Sequence, residues 1–293
     1  MIKGTTKIFG VIGFPIEHTA SPAIHNAAFA ALGLDCAYLP LAVRPENLGR
    51  AVAGLSSLGI IGLNVTIPHK ETVIACLDEV SEEARRIGAV NTVAIRSGKL
   101  IGYNTDGKGF VQALKEEGKI DIQGRRIVIL GAGGAGRAVA VQSGLEGAGE
   151  LIIFDKIAPR AKRLAADIGR NIPQLRVGVI SWDKIKFNVG KADILINATP
   201  VGMNAGDKLL IDPEWLLPRT LVFDLVYNPQ ETRLMQASRE RGCSVVGGLG
   251  MLIHQGALSF ELWTGKEAPL DAMRKAAEEV INSQQSTVNS RER

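Results

Sequence analysis

Three short stretches of the first hundred or so residues carry small polar side chains together with a lysine and an aspartate. They are Asn64–Lys70, Gly88–Thr92 and Gly102–Gly107. Asn64 and Thr66 share one face of an extended segment, because alternate residues of a strand do so. Hydroxyls, amides, the ammonium of Lys70 and the carboxylate of Asp106 suit a polyhydroxylated substrate whose carbonyl or alcohol exchanges a hydride. Such a substrate needs many hydrogen bonds and one proton donor.

A second chemical signal is the glycine-rich segment 131–136, with the sequence GAGGAG. It follows the apolar run 127–130, opens an alanine-rich helical stretch and precedes a second apolar run that ends at Asp155. This order matches a dinucleotide-binding βαβ unit: the first glycine allows the tight turn, the second admits the pyrophosphate, and the third lets helix and strand pack closely. We therefore expect a dinucleotide cofactor on this segment.

Asp155 bears on which nicotinamide cofactor the segment would hold. An acidic side chain at the end of the second strand accepts hydrogen bonds from the ribose 2′-hydroxyl of NAD and repels the 2′-phosphate of NADP. Lys156 and Arg160 argue the other way, because their positive charges can offset the acid and bind a phosphate. On this physical argument we expect NAD to be preferred, with NADP left open.

The elements that must position these residues follow from an alternation of short apolar runs and helical patterns, which is typical of βαβ units and a largely parallel sheet. One series fills the first hundred residues, and a complete doubly wound series begins at Arg126. From Met251 the pattern is helical, and we expect these helices to pack back on the first domain. We predict a two-domain α/β protein, with a substrate-binding, catalytic domain at 1–106 and 249–293 and a Rossmann NAD(P)-binding domain at 107–248.

The composition is that of a folded globular protein, with 293 residues of which 46% are apolar and 22% charged. No apolar run approaches the roughly 18 residues needed to span a bilayer. The three cysteines are far apart and form no C-x-x-C pair. Lysine and arginine are spread along the chain despite a net charge of +4, without the cluster expected of a nucleic-acid-binding face. We expect a soluble, cytoplasmic protein that binds no nucleic acid, membrane or metal.

Several motifs occur in order along almost the whole chain. They are GFPIEHTASP at 13–22, NVTIPHK at 64–70, GAVNT at 88–92, YNTDG at 103–107, GAGGA at 131–135, INATPVGM at 196–203, DLVYNP at 224–229 and GLGMLIHQ at 248–255. With these motifs the chain resembles the shikimate dehydrogenase family, which includes the quinate/shikimate dehydrogenases.

The resemblance implies a reversible oxidoreductase that acts on a CH–OH group with NADP, the usual cofactor of the family, or with NAD. The reaction would be the reduction of 3-dehydroshikimate to shikimate, on the route to chorismate and the aromatic amino acids. An alternative within the family is an NAD-dependent quinate/shikimate dehydrogenase of quinate catabolism. A non-catalytic dinucleotide sensor is the alternative from another class, and the presence of both Lys70 and Asp106 argues against it. The resemblance implies a monomer or a homodimer.

Carried over position by position, the resemblance implies that Lys70 and Asp106 are the catalytic pair. Lys70 would relay a proton to or from the substrate oxygen, while Asp106 would hydrogen-bond the reacting hydroxyl and hold Lys70. The positions that match substrate-binding residues are Thr19, Ser21, Asn64, Thr66, Asn91, Tyr227 and Gln255. The positions that match cofactor-binding residues are Gly131, Ala132, Gly133, Gly134, Ala135, Asp155, Lys156, Arg160, Leu225 and Gly248, with Glu82 at a position near the cofactor.

Two departures from the family pattern concern specificity. Members that prefer NADP usually carry N-R-T-x-x-R after the second strand of the cofactor domain, where this chain has DKIAPR at 155–160. The usual S-x-S near the N-terminus is Thr19-Ala20-Ser21 here, and the added methyl group alters the carboxylate end of the pocket. Cofactor preference and the acceptance of quinate therefore stay open.

Overall fold

The computed structural model describes residues 2–204 and 206–291. Contacts between Cα atoms divide the chain into two compact units. The first unit comprises residues 1–105 and 253–293, and the second comprises Asp106–Leu252. The limits given above for the functional domains, at 106 and 249, concern substrate and cofactor binding and remain a prediction.

Six strands form the sheet of the first unit. They are β1 (Lys7–Gly13), β2 (Cys36–Ala42), β3 (Ile60–Val65), β4 (Glu79–Val80), β5 (Thr92–Arg96) and β6 (Lys99–Tyr103). Their order across the sheet is β2-β1-β3-β5-β6-β4. The strands β1, β2 and β3 run parallel, as the alternating pattern predicts.

The sheet of the first unit is nevertheless mixed, because β5 is antiparallel to both β3 and β6. The other five strands run in one direction, as expected of a largely parallel sheet, and β5 is the exception. The cause is a hairpin at Ser97 and Gly98, which both have positive φ, at 50° and 79°. Two consecutive residues of positive φ make the tight turn whose twist suits antiparallel strands. The Ser-Gly dipeptide between two apolar runs was the signal that could have revealed it.

The second unit contains a fully parallel sheet. Its strands are β7 (Arg126–Leu130), β8 (Glu150–Phe154), β9 (Arg176–Val179), β10 (Ile194–Asn197), β11 (Leu221–Asp224) and β12 (Ser244–Val246). They are ordered β12-β11-β10-β7-β8-β9, which is the doubly wound arrangement of a Rossmann domain. The central strands are buried on both faces, which explains why they read as unbroken apolar runs in the sequence.

The helices cover these sheets. They are α1 (Ser21–Ala31), α2 (Leu48–Gly54), α3 (Glu82–Ile87), α4 (Asp106–Ala113), α5 (Gly134–Leu145), α6 (Ala158–Asn171), α7 (Ile185–Val189), α8 (Arg233–Glu240), α9 (Gly248–Thr264) and α10 (Leu270–Arg291). The expected return of the C-terminal helices is confirmed, since α10 packs on α1. In α9, Phe260 lies against Phe29 with ring centroids 5.5 Å apart, and Trp263 donates through Nε1 to the carbonyl of Val93 at 3.0 Å.

Among the described residues, no helix combines the length and the apolar character that crossing a bilayer requires. The same residues hold no group of three or more histidines, cysteines or acids arranged for a metal ion.

Candidate functional site

The polar stretches of the first unit converge because four strand ends meet at one edge of its sheet. Strands β1 and β3 are parallel and end together, with Ile12 beside Val65. The antiparallel β5 begins at this edge, so that Thr92 pairs with Asn64 on one side and with Tyr103, the last residue of β6, on the other. Ligands of open α/β sheets bind outside the carboxyl ends of the parallel strands. This edge is therefore the candidate substrate site.

A buried cluster of amides and hydroxyls joins three of the segments at this edge. The Nδ2 atom of Asn64 lies 3.1 Å from the carbonyl of Asn91 and 3.1 Å from Oγ1 of Thr92. Asn91 in turn donates through Nδ2 to Oγ1 of Thr105 at 2.8 Å and accepts at Oδ1 from the Thr105 amide at 2.8 Å. Buried polar groups of this kind stabilise one arrangement when they are paired, so these side chains are held in fixed positions.

Helix α9 completes the cluster from a distant part of the sequence. Asn91 Nδ2 lies 3.2 Å from Oε1 of Gln255. One turn later, the fully buried Ser259 lies 2.7 Å from Oγ1 of Thr92 and 3.0 Å from Nδ2 of Asn64. Ser259 is not among the residues expected from the sequence, although its spacing of four residues from Gln255 places both on one helix face.

The N-terminal loop brings Thr19 and Ser21 to the start of α1. The amide of Ser21 lies 3.3 Å from Oγ1 of Thr19, and the Ser21 hydroxyl interacts with that of Tyr38 in β2. Both predicted carboxylate-binding hydroxyls are partly exposed. The arrangement suits two hydroxyl donors that bind one anion.

Lys70 sits in a loop that two hydrogen bonds attach to the first unit. Its carbonyl accepts from the Val90 amide at 2.8 Å, which ties it to the segment that carries Asn91. The neighbouring His69 is buried and bonds through Nε2 to the carbonyl of Val43 at 2.7 Å. From the sequence, His69 is expected to serve the structure or the pocket rim rather than catalysis, and its bond to Val43 anchors the backbone next to Lys70.

Asp106 directly follows Thr105 in the chain and is the first residue of α4. It is 4% exposed. A carboxylate at the first position of a helix lies next to the free backbone N–H groups of the first turn. Thr105 belongs to the amide and hydroxyl cluster of the first unit, and Asp106 is the next residue of the chain and the first of the second unit.

The second unit forms the glycine-rich turn between β7 and α5. Gly131 has a φ of 105°, in the region that side chains rarely adopt. A Cβ atom at Gly136 would overlap the carbonyl oxygen of Gly131. These two glycines are therefore required by the protein itself, as predicted for the tight turn and for close packing of helix and strand.

Gly133 differs, because a Cβ atom there would meet no protein atom within 4 Å, and its φ of −77° suits any residue. Nothing in the chain requires glycine at this position, whereas a pyrophosphate that approaches the backbone does. The residues present thus fit a dinucleotide.

A pair of substitutions separates these two roles. We expect Gly133→Ala to change the free energy of unfolding by less than about 0.5 kcal/mol but to weaken cofactor binding at least tenfold, by steric exclusion of the phosphates. Gly136→Ala should destabilise the fold by about 1–3 kcal/mol, because the new methyl group would overlap the Gly131 carbonyl and the backbone there cannot shift as a side chain can. Urea denaturation and cofactor titration measure the two effects. Normal cofactor affinity in Gly133→Ala would exclude the assigned phosphate site.

Asp155 follows β8 and faces the glycine-rich turn. Its Oδ2 accepts from the Ala132 amide at 2.7 Å, and its Oδ1 accepts from the Ile157 amide at 2.7 Å. Its carboxylate is thereby fixed beside the predicted cofactor segment. Lys156 and Arg160, the predicted basic residues, are exposed, Lys156 just before α6 and Arg160 in its first turn.

The loops after β10 and β11 are joined by one buried carboxylate. Asp224 accepts from Nδ2 of Asn197 at 2.9 Å, from the Val226 amide at 3.0 Å and from Oγ1 of Thr232 at 2.7 Å. Next to it, the Leu225 carbonyl lies where a Cβ atom of Gly248 would be. The predicted cofactor residues Leu225 and Gly248 are thus brought together, and Tyr227 follows in the same loop.

Burial raises the pKa of Asp224 to about 6, and its hydrogen bonds with Thr232, Val226 and Asn197 offset only part of that effect. Because the pKa in the folded state lies above the ordinary value of 3.8, ionisation is unfavourable in the fold. The free energy of unfolding should therefore fall as pH rises from about 4 to about 6, by roughly 3 kcal/mol in total, and level off above that.

Asp224→Asn should abolish this dependence, because the amide does not titrate. Urea denaturation of both proteins at several values of pH between 4 and 8 measures the difference between their unfolding free energies. Exposed Asp121, replaced by asparagine, is the control. A difference between wild type and Asp224→Asn that is independent of pH would contradict the raised pKa.

Glu82 lies in the first unit, apart in sequence from the other predicted cofactor residues. It is the first residue of α3 and forms an ion pair with Arg86 one turn later. Its predicted place near the cofactor remains a prediction.

Comparisons with known proteins agree with this arrangement. Residues 11–93 match the family model "Shikimate dehydrogenase substrate binding domain", and residues 248–278 match "Shikimate 5'-dehydrogenase C-terminal domain". The chain is 48% identical to the shikimate dehydrogenase (NADP(+)) of Methanopyrus kandleri, over 94% of this chain and 96% of that one.

Solved structures give the same result. One is a shikimate dehydrogenase in complex with NADP+, which has a TM-score of 0.88 and 42% identity and covers 96% of this chain and 98% of its own. The Listeria monocytogenes shikimate 5-dehydrogenase in complex with shikimate and NAD has a TM-score of 0.86 and 38% identity, over 94% and 97%. A quinate dehydrogenase from Corynebacterium glutamicum in complex with NAD has a TM-score of 0.86 and 35% identity, over 92% and 98%.

Proposed function

Because the chain belongs to the shikimate dehydrogenase family, we propose that it reversibly reduces 3-dehydroshikimate to shikimate, on the route to chorismate and the aromatic amino acids. The cofactor is NADP or NAD, and when bound it supplies the hydride for the substrate carbon. The observation that carries the proposal is the convergence of hydroxyls and amides at the sheet edge of the first unit, next to the Lys70 loop and to Thr105, which precedes Asp106.

In the direction of reduction, the substrate carbonyl oxygen gains negative charge as the hydride arrives. The ammonium of Lys70 donates a proton to that oxygen, and the same amine accepts the proton in the oxidation of shikimate. Asp106 accepts a hydrogen bond from the reacting hydroxyl and holds Lys70 by charge. Lys70 and Asp106 therefore stabilise the state in which the proton is shared.

The other predicted side chains orient the substrate. Thr19 and Ser21 are hydroxyl donors for its carboxylate. Its ring hydroxyls bind to the remaining residues, which are Asn64, Thr66, Asn91, Tyr227 and Gln255. Because both Nδ2 hydrogens of Asn64 have acceptors within the first unit, Asn64 takes part through a lone pair of Oδ1.

In the second unit, the residues of the glycine-rich turn bind the pyrophosphate through backbone N–H groups. Asp155, Lys156 and Arg160 face the adenosine ribose, and Leu225 and Gly248 line the nicotinamide end, with Glu82 close by. Fixed backbone donors need no reorganisation when the cofactor enters, which favours tight binding.

A second candidate is an NAD-dependent quinate/shikimate dehydrogenase of quinate catabolism. Two observations favour it: the threonine at position 19 in place of serine, and the fixed carboxylate of Asp155 beside the glycine-rich turn. This enzyme would use the same proton-transfer groups on a substrate with one more hydroxyl.

Steady-state rates with shikimate and quinate, each with NAD and NADP, test the two candidates. We expect kcat/KM for shikimate to exceed that for quinate. The reverse order would establish the quinate enzyme, and no activity with either substrate would overturn the proposed function. An NADP preference of about a thousandfold would contradict the role given to Asp155.

A further inference from the structure

Tyr38 is a buried residue that connects two predicted substrate-binding side chains, Asn64 and Ser21. Its side chain is 1% exposed, and its hydroxyl donates to Oδ1 of Asn64 at 2.7 Å. The same hydroxyl interacts with the side chain of Ser21. One buried atom thus contacts a predicted carboxylate-binding residue and a predicted hydroxyl-binding residue.

The direction of this hydrogen bond is determined by the surroundings of Asn64. Its Nδ2 lies 3.1 Å from the Asn91 carbonyl, which can only accept, so Oδ1 must be the atom that faces Tyr38. Tyr38 therefore donates its one proton to Asn64, and a lone pair of its oxygen holds the Ser21 hydroxyl until that hydroxyl turns to donate to the substrate carboxylate. Burial raises the pKa of Tyr38 well above its usual value, so the donor proton is present at every working pH.

Both the backbone and the ring of Tyr38 are held by residues of α1. Asn26 on α1 accepts from the Tyr38 amide at 2.9 Å and donates to its carbonyl at 3.0 Å. The ring stacks on His25 with centroids 4.4 Å apart and planes 11° from parallel. Burial lowers the pKa of His25 to about 3, against a weaker opposing contact with Asn64, so this histidine stays neutral and stacks as an uncharged ring.

We propose that Tyr38 is a positioning residue for substrate binding, which sets the Ser21 hydroxyl and the Asn64 amide at the spacing that the substrate requires. It touches no substrate and acts through these two side chains. The inference rests on the proposed function, because Ser21 and Asn64 matter only if they bind substrate.

Tyr38→Phe tests the inference, because it removes the hydroxyl and keeps the stacked ring. We expect the KM for shikimate to rise about tenfold, the size of one lost hydrogen bond, while kcat changes less than about threefold and the KM for the cofactor stays constant. A purely structural defect lowers the amount of active enzyme and leaves the KM for shikimate unchanged. Thr220→Val is the matched control, since it removes a fully buried hydroxyl that donates to the Ala192 carbonyl in the second unit.

Combination with Ser21→Ala provides a second readout. If Tyr38 acts through Ser21, the rise in KM of the double variant falls below the product of the two single effects. If the KM of the double variant instead rises by the full product of the two single effects, Tyr38 and Ser21 act independently, which would contradict the inference. An unchanged KM in Tyr38→Phe would overturn it as well.

Asn26→Ala covers the case in which Tyr38→Phe does not fold. Asn26 is exposed, so its replacement releases the backbone of Tyr38 without a cavity, and we expect the KM for shikimate to rise about threefold. A KM that stays constant in this variant would count against Tyr38. Wild-type protein that is inactive on shikimate would instead overturn the proposed function, so the two failures are distinguishable.

Discussion

Replacing Lys70 by alanine is expected to lower kcat about a thousandfold while cofactor affinity stays within about twofold of wild type. General acid–base catalysis accelerates a reaction by roughly 10²–10⁴-fold. Lys70 is the proton donor of the predicted pair, so alanine at this position removes that acceleration. The backbone of Lys70 is held by the Val90 amide, which the substitution leaves in place, so the fold should persist. Steady-state kinetics and titration with the cofactor measure the two quantities.

Lys99→Ala is the control for this experiment. Lys99 is exposed and paired with Glu79 at 2.7 Å, so its loss removes a positive charge from the same unit without touching the candidate site. Turnover of Lys70→Ala near the wild-type rate, with Lys99→Ala also active, would refute the proton-transfer role.

Replacing Asp155 by asparagine is expected to raise the ratio of kcat/KM for NADP to that for NAD by about tenfold or more. The carboxylate repels the 2′-phosphate of NADP, and a like charge a few ångströms away costs on the order of 1–4 kcal/mol at a protein surface. Asparagine removes the charge but keeps one acceptor oxygen for the Ala132 or Ile157 amide. The turn around the site therefore keeps part of its hydrogen bonding.

Asp212→Asn is matched to this change. Asp212 is exposed, and its Oδ1 accepts from the amide two residues on, Glu214, at 3.0 Å, as Asp155 does from Ile157. It should leave the cofactor ratio unchanged. If Asp155→Asn leaves the ratio unchanged as well, cofactor choice is made by Lys156, Arg160 or another group.

Local patterns were enough to predict the second unit. The apolar run 127–130 and the helix 134–145 belong to one βαβ unit whose contacts are close in sequence, and the structure has β7 at Arg126–Leu130 and α5 at Gly134–Leu145. The glycine-rich turn between them follows from backbone sterics at Gly131 and Gly136, which are properties of single residues.

The first unit was harder to predict, because its pairing partners lie far apart. The antiparallel direction of β5 was not predicted, because its neighbour β3 ends nearly thirty residues earlier. An apolar run in the sequence does not indicate whether the strand will run parallel or antiparallel to its neighbours. Ser259 and Tyr38 were missed for a similar reason: each reads as an ordinary residue of a helix or strand until the fold brings it to Asn64.

By itself, the sequence determined the family, the two α/β units and the residue types that can transfer a proton and bind a dinucleotide, because these depend on local spacing and on motifs. Only the tertiary structure decided how the substrate side chains are supported. Asn64 meets Tyr38, Asn91 and Ser259 across separations of 26, 27 and 195 residues. A hydrogen bond depends on distances of about 3 Å, and such distances between remote residues exist only once the chain has folded.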